Sequence, residues 1–122
     1  MNGPFHILLV ALGGAVGAVL RYGMSSLLSQ GEGIQWGTFA VNFIGCFLIC
    51  FVFFKFTDIG QATKLFLFIG VFGGFTTMSS VSLEIMGFFA EGQMGYAFSV
   101  FLLNAAVCFG AGFLGRAAAL VS

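Results

Sequence analysis

The chain has 122 residues, is 60% hydrophobic, carries 7% charged residues and has a formal net charge of zero, with a mean hydropathy of +1.12. A water-soluble domain carries roughly 25% charged residues, so the composition excludes one and specifies an all-α integral membrane protein. The balanced charge offers no basic surface for nucleic acid.

Four transmembrane helices of about 20 residues, joined by short loops, fit the length as a single domain. So few spans leave little protein to enclose a pathway, and an oligomer is expected. Span 1 covers residues 5–28. It lacks the basic n-region of a signal peptide and three more spans follow, so it reads as a membrane helix. Pro4 stands at its start, where a missing N–H is harmless. Gly13, Gly14 and Gly17 give it a small-xxx-small face for close helix packing. Arg21, near its far end, has two readings. It snorkels to the interface, or it is a fixed positive charge that draws anions into a vestibule.

Residues 30–35 form a loop containing Glu32, and Trp36 marks the membrane interface. Span 2 covers residues 36–56. Asn42 lies deep within it and must find partners or bear a desolvation cost of about 1–3 kcal/mol. It either bonds two helices together or turns its amide donors toward an anion. Lys55, Asp58 and Lys64 bracket the second loop.

Span 3 covers residues 65–90 and holds the most informative stretch, GVFGGFTTMSSVSLE at residues 70–84. Hydrocarbon offers no partners to Thr76, Thr77, Ser79, Ser80, Ser82 or Glu84, so these groups should face a helix, a cavity or a ligand. The adjacent Gly73 and Gly74 let the helix break. Carbonyls freed at Gly73 and Thr76 would suit a hard monovalent cation. Glu91, Gly92 and Gln93 make a short turn into span 4, residues 94–120. There Asn104, Cys108 and Gly112 follow one another a helical turn apart on one face. Cys46, Cys50 and Cys108 lack the spacing of a zinc site or disulfide framework and read as small packing residues. Lys55, Lys64 and Arg116 on one side against Arg21 on the other set a weak topology bias, with the former side cytoplasmic.

Catalysis is not expected, because His6 is the only histidine and no nucleophile–base constellation is visible. The chain offers instead a set of uncharged donors (Asn42, Thr77, Ser79, Ser80, Asn104) suited to a small anion that must shed water yet still leave.

Three segments, GGAVGAVLRY (13–22), GTFAVNFIG (37–45) and GVFGGFTTMSSVSLE (70–84), resemble the Fluc (CrcB) family of fluoride channels in order and spacing. The resemblance covers nearly the whole chain. It implies an antiparallel dimer of four-helix subunits in the cell inner membrane, surrounded by lipid, that passively exports fluoride from the cytoplasm. It also implies a structural sodium ion at the dimer centre, held by the backbone carbonyls of Gly73 and Thr76. Asn42 matches the pore-lining asparagine, Ser79 and Ser80 the polar track, and Arg21 and Glu84 the vestibule charges. Asn104 and Cys108 align with pore-facing positions of the fourth helix.

One departure stands out. The family motif Thr-Thr-Phe-Ser-Thr-Phe reads here Thr76-Thr77-Met78-Ser79-Ser80-Val81, so Met78 and Val81 replace two phenylalanines that line the fluoride path. The chain is then a homodimeric channel of altered selectivity or rate, one with a degraded pore, half of an antiparallel heterodimer, or a non-conducting accessory subunit. A small multidrug-resistance-type transporter is the remaining alternative. Its members rely on a glutamate in the first helix, where this chain has no acid.

Overall fold

The computed structural model describes residues 3–28 and 36–122, and all regular structure within them is helical. The helices are α1 (Gly3–Leu28), α2 (Trp36–Lys55), α3 (Gln61–Lys64), α4 (Gly73–Phe75), α5 (Ser79–Ala90) and α6 (Met94–Val121), with a π-helical run, Leu65–Phe72, joining α3 to α4. Among the described residues four stretches are long and apolar enough to cross a membrane: Gly3–Leu28, Trp36–Lys55, Gln61–Ala90 and Met94–Val121. The expectation of four spans with an interruption in the third is met. The loop expected at 30–35, with Glu32, lies outside the described residues.

Glycines set the packing. Gly13 and Gly17 are the buried residues of α1. A Cβ on Gly13 would collide with the Phe66 carbonyl, and one on Gly17 with the Val71 carbonyl. The third span answers with the same spacing. A Cβ on Gly70 would lie 2.8 Å from the Gly13 Cα, and one on Gly74 2.8 Å from the Gly14 carbonyl oxygen. Two Gly-x-x-x-Gly faces therefore meet backbone to backbone, the contact that drives helix association where no hydrophobic effect operates between helices.

The π-helical run widens the third span against this seam, and the Gly73 N–H reaches the Phe68 carbonyl five residues back. Such runs concentrate at functional sites. On the other side of the bundle α2 packs along α6, where a Cβ on Gly115 would strike the Phe47 carbonyl. Val81 and Phe88 of α5 pack on Ala97 and Val100 of α6. The hairpin between α5 and α6 closes through Gly92, at φ +76°. Its N–H donates to the Phe89 carbonyl and that of Gln93 to the Phe88 carbonyl, a Schellman ending.

Candidate functional site

The third span stops being helical at Thr76, whose backbone is extended (φ −76°, ψ 156°). Both its N–H (3.1 Å) and its Oγ1 (3.0 Å) donate to the Phe72 carbonyl and terminate the helix there. Regular helix resumes at Ser79. A Cβ on Gly45 of α2 would overlap the Thr76 Cγ2, so that glycine makes room for the break.

Asn42 of α2 is 3% exposed and all its polar hydrogens and its oxygen are engaged. Its Oδ1 accepts from the Thr77 N–H at 2.9 Å. Its Nδ2 donates to the Thr77 carbonyl at 3.2 Å and to the Asn104 Oδ1 at 3.0 Å. Asn104 Nδ2 in turn donates to the Val100 carbonyl at 3.0 Å. The Thr77 N–H needs an acceptor, which fixes the Asn42 amide orientation, and Asn42 then fixes that of Asn104. The side chain of α2 thus pairs with the peptide of the break as a neighbouring strand would.

The break is held on its far side by Thr77. Its Oγ1 accepts from the Ser80 N–H at 3.1 Å and shares a hydrogen bond with Ser79 Oγ at 3.2 Å. Thr77→Val is expected to lower the thermal unfolding midpoint through loss of about 1 kcal/mol of capping, and Thr77→Ser to preserve it.

These bonds decide which carbonyls are left over. In an uninterrupted helix the Thr77 N–H would go to the Gly73 carbonyl and the Ser80 N–H to the Thr76 carbonyl. Here the first is diverted to Asn42 and the second to the Thr77 hydroxyl. The Gly73 and Thr76 carbonyls, which the sequence nominates for a cation, are both among those deprived of their helical donors at the break.

A groove of about 590 Å³ runs past the break. Gly73, Thr76, Met78 and Val81 line it from the third span, Asn42 and Cys46 from α2, and Asn104 and Cys108 from α6. Met78 is 68% exposed, whereas Val81 is 1% exposed and shows the groove only an edge. Ser79 and Ser80 are the first residues of α5 and stand outside the lining. Arg21 in α1 and Glu84 in α5 are half-buried and also lie outside it.

α2 and α6 run in register. Asn42 meets Asn104, 62 residues on, and the same separation recurs three times toward the helix ends. Cys46 and Cys108, one turn further along, both line the groove. A Cβ on Gly112 would lie 3.3 Å from Cys50 Sγ. The Arg116 guanidinium sits 5.2 Å from the centre of the Phe54 ring, a cation–π contact. The Lys55 ammonium donates to Ser122 Oγ at 2.8 Å, tying the two ends together. The face of Asn104, Cys108 and Gly112 read from the sequence is therefore the face packed on α2. Sequence reasoning missed Gly45 and the Gly70–Gly74 seam. The Gly-x-x-x-Gly spacing of the latter was a readable signal.

Comparison with known proteins is specific. The profile of the family described as CrcB-like protein, Camphor Resistance (CrcB), matches residues 8–116. A Thermus thermophilus protein named fluoride-specific ion channel FluC is 42% identical over 110 residues, covering 84% of this chain and 88% of its own. Proteins of the same name from Agrobacterium fabrum and Opitutus terrae are 40% and 39% identical, covering 92% and 93% of this chain and 94% and 91% of their own. A profile match across most of the chain, with these relatives behind it, places the protein in the CrcB family of membrane proteins.

Proposed function

We propose that the chain is a fluoride-selective channel that passively exports fluoride from the cytoplasm across the inner membrane. The observation that carries this reading is the groove of about 590 Å³, where a broken helix, two buried asparagines and a thiol rung meet. Family membership and the relatives' names supply the ion. Neutral side-chain and backbone groups line the groove, so an anion can shed water there without being trapped by a fixed positive charge. The driving force is the membrane potential, about 2.3 kcal/mol per charge per 100 mV, which favours anion exit from a negative interior.

In this reading Asn42, Asn104, Met78, Val81 and Cys108 line the path, and Ser79 and Ser80 form a polar shoulder beside it. Arg21 and Glu84 are vestibule charges. The start of α5 presents N–H groups favourable to an anion, and the carbonyl end of α4 favours a cation. A structural sodium ion fits the latter. Its ligands would be the Gly73 and Thr76 carbonyls, hard oxygens already released from helical bonding, and it would supply a fixed positive charge beside the pathway.

The same assignment calls for an antiparallel homodimer. The groove is open along one side, and α6 carries exposed Phe98, Phe101, Phe109 and Phe113 that a second copy would cover. A heterodimeric or accessory role is the second reading, because Met78 and Val81 replace the family's phenylalanines and Val81 is committed to the core against α6. Expression of this chain alone in cells lacking fluoride exporters distinguishes them. Growth restored in millimolar-range fluoride supports the self-sufficient channel; growth arrest with the protein present in the membrane contradicts it.

A further inference from the structure

Two grooves meet at one rung of the α2–α6 ladder. The first carries the break and the asparagines. The second, of about 370 Å³, continues along the helices to Arg116. Cys46 and Cys108 line both, follow Asn42 and Asn104 by one helical turn in the same register, and neither is fully buried. The thiol pair therefore stands at the junction, reachable from either side. Its surroundings toward Arg116 are mostly apolar, with Ile49, Phe54 and Phe113 on the walls and the Cys50 thiol one turn beyond Cys46.

We propose that Cys46 and Cys108 form a binding site for a soft divalent metal ion of the mercuric type, and that occupation closes the junction between the two grooves. The closing step rests on the groove being the anion path. Soft thiolate ligands select soft metals. Among the described residues no three histidine, cysteine or acidic side chains converge as a chelating set, so the site suits an ion content with two ligands. Zinc, which takes four ligands in structural sites, is refused. A dication held by two thiolates is neutral overall, which an apolar groove tolerates where a residual charge would be expelled.

On binding, each thiol loses its proton to water and forms one sulfur–metal bond. Two S–H bonds break, two S–metal bonds form, and nothing is oxidised or reduced. The complex bridges α2 to α6 and puts a metal atom at the place both grooves share.

The test uses the full chain with mercuric nitrate as probe. In detergent, mercury–thiolate charge-transfer absorbance is titrated against protein. In liposomes, fluoride efflux is followed before and after mercury, each variant being scaled to its own metal-free rate. The expected result is one mercury per chain, efflux reduced to the leak of protein-free liposomes, recovery on adding excess dithiothreitol, and no effect of zinc. Cys46→Ala and Cys108→Ala lose both the stoichiometric absorbance and the block, and Cys50→Ala keeps both. Undiminished absorbance in the Cys46→Ala/Cys108→Ala double variant overturns the site. Stoichiometric binding with undiminished efflux overturns the closure. A chain that conducts no fluoride before mercury defeats the channel reading instead, and the absorbance titration still decides the thiol site.

Discussion

With sodium in the proposed site, Asn42→Ala is expected to abolish fluoride flux and, with it, sodium-dependent thermal stabilisation. The substitution removes three hydrogen bonds at once, leaving the Thr77 N–H, the Thr77 carbonyl and the Asn104 Oδ1 without their partner. Each buried group left unsatisfied costs about 1–3 kcal/mol. The cheapest relief is for the Thr77 N–H to return to the Gly73 carbonyl, which mends the helix and takes away a cation ligand. Asn42→Asp separates the roles, because it keeps an acceptor for the Thr77 N–H but loses both amide donors. It is expected to retain sodium-dependent thermal stabilisation while flux falls, since a carboxylate also repels an anion. The measurement is a melting curve in sodium against N-methylglucamine, beside liposome efflux. Sodium stabilisation surviving in Asn42→Ala would show that the side chain does not hold the carbonyls open.

The second large effect is expected at the seam between α1 and the third span. Gly13→Val and Gly17→Val drive a side chain into the Phe66 and Val71 carbonyls, which are backbone and cannot rotate away. Overpacking typically costs about 1–3 kcal/mol. Here it also forces apart the two helices whose contact positions the break. Both variants should be recovered in low yield or with a lowered unfolding midpoint. Gly110→Ala, in α6 with nothing within 4 Å of the added carbon, should match the unmodified protein. Wild-type stability in Gly13→Val would mean that the close approach is not maintained in the membrane.

The parts of this arrangement legible in the sequence are those governed by solvent and by residue type. Lipid cannot satisfy a peptide group, so composition forces helical spans. Paired glycines amid threonines and serines announce a break, and glycines at helical spacing in span 1 announce a packing face. What stayed hidden depends on three-dimensional partners. The sequence left Asn42 equally suited to bonding helices and to facing an anion. The bonding role emerges only because the α2–α6 register sets Asn104 beside it and the extended Thr76 turns the Thr77 peptide toward it. The cysteines read as small packing residues because they are spaced along two different helices, and that same register sets Cys46 and Cys108 on the walls of the same grooves. Thr77 read as one donor among several, yet its hydroxyl accepts from the Ser80 N–H and so frees the Thr76 carbonyl. The π-helical run has no counterpart in the residue pattern of Leu65–Phe72, which is apolar throughout.

In the proposed reading this chain alone forms a selective fluoride pathway. That reading is tested most directly by purifying the chain, reconstituting it in liposomes loaded with potassium fluoride, and following efflux with a fluoride electrode after adding valinomycin. Rapid fluoride release is expected, with matched chloride-loaded liposomes retaining their contents. Folded, dimeric protein that releases no fluoride faster than protein-free liposomes, or that releases chloride equally fast, would contradict it.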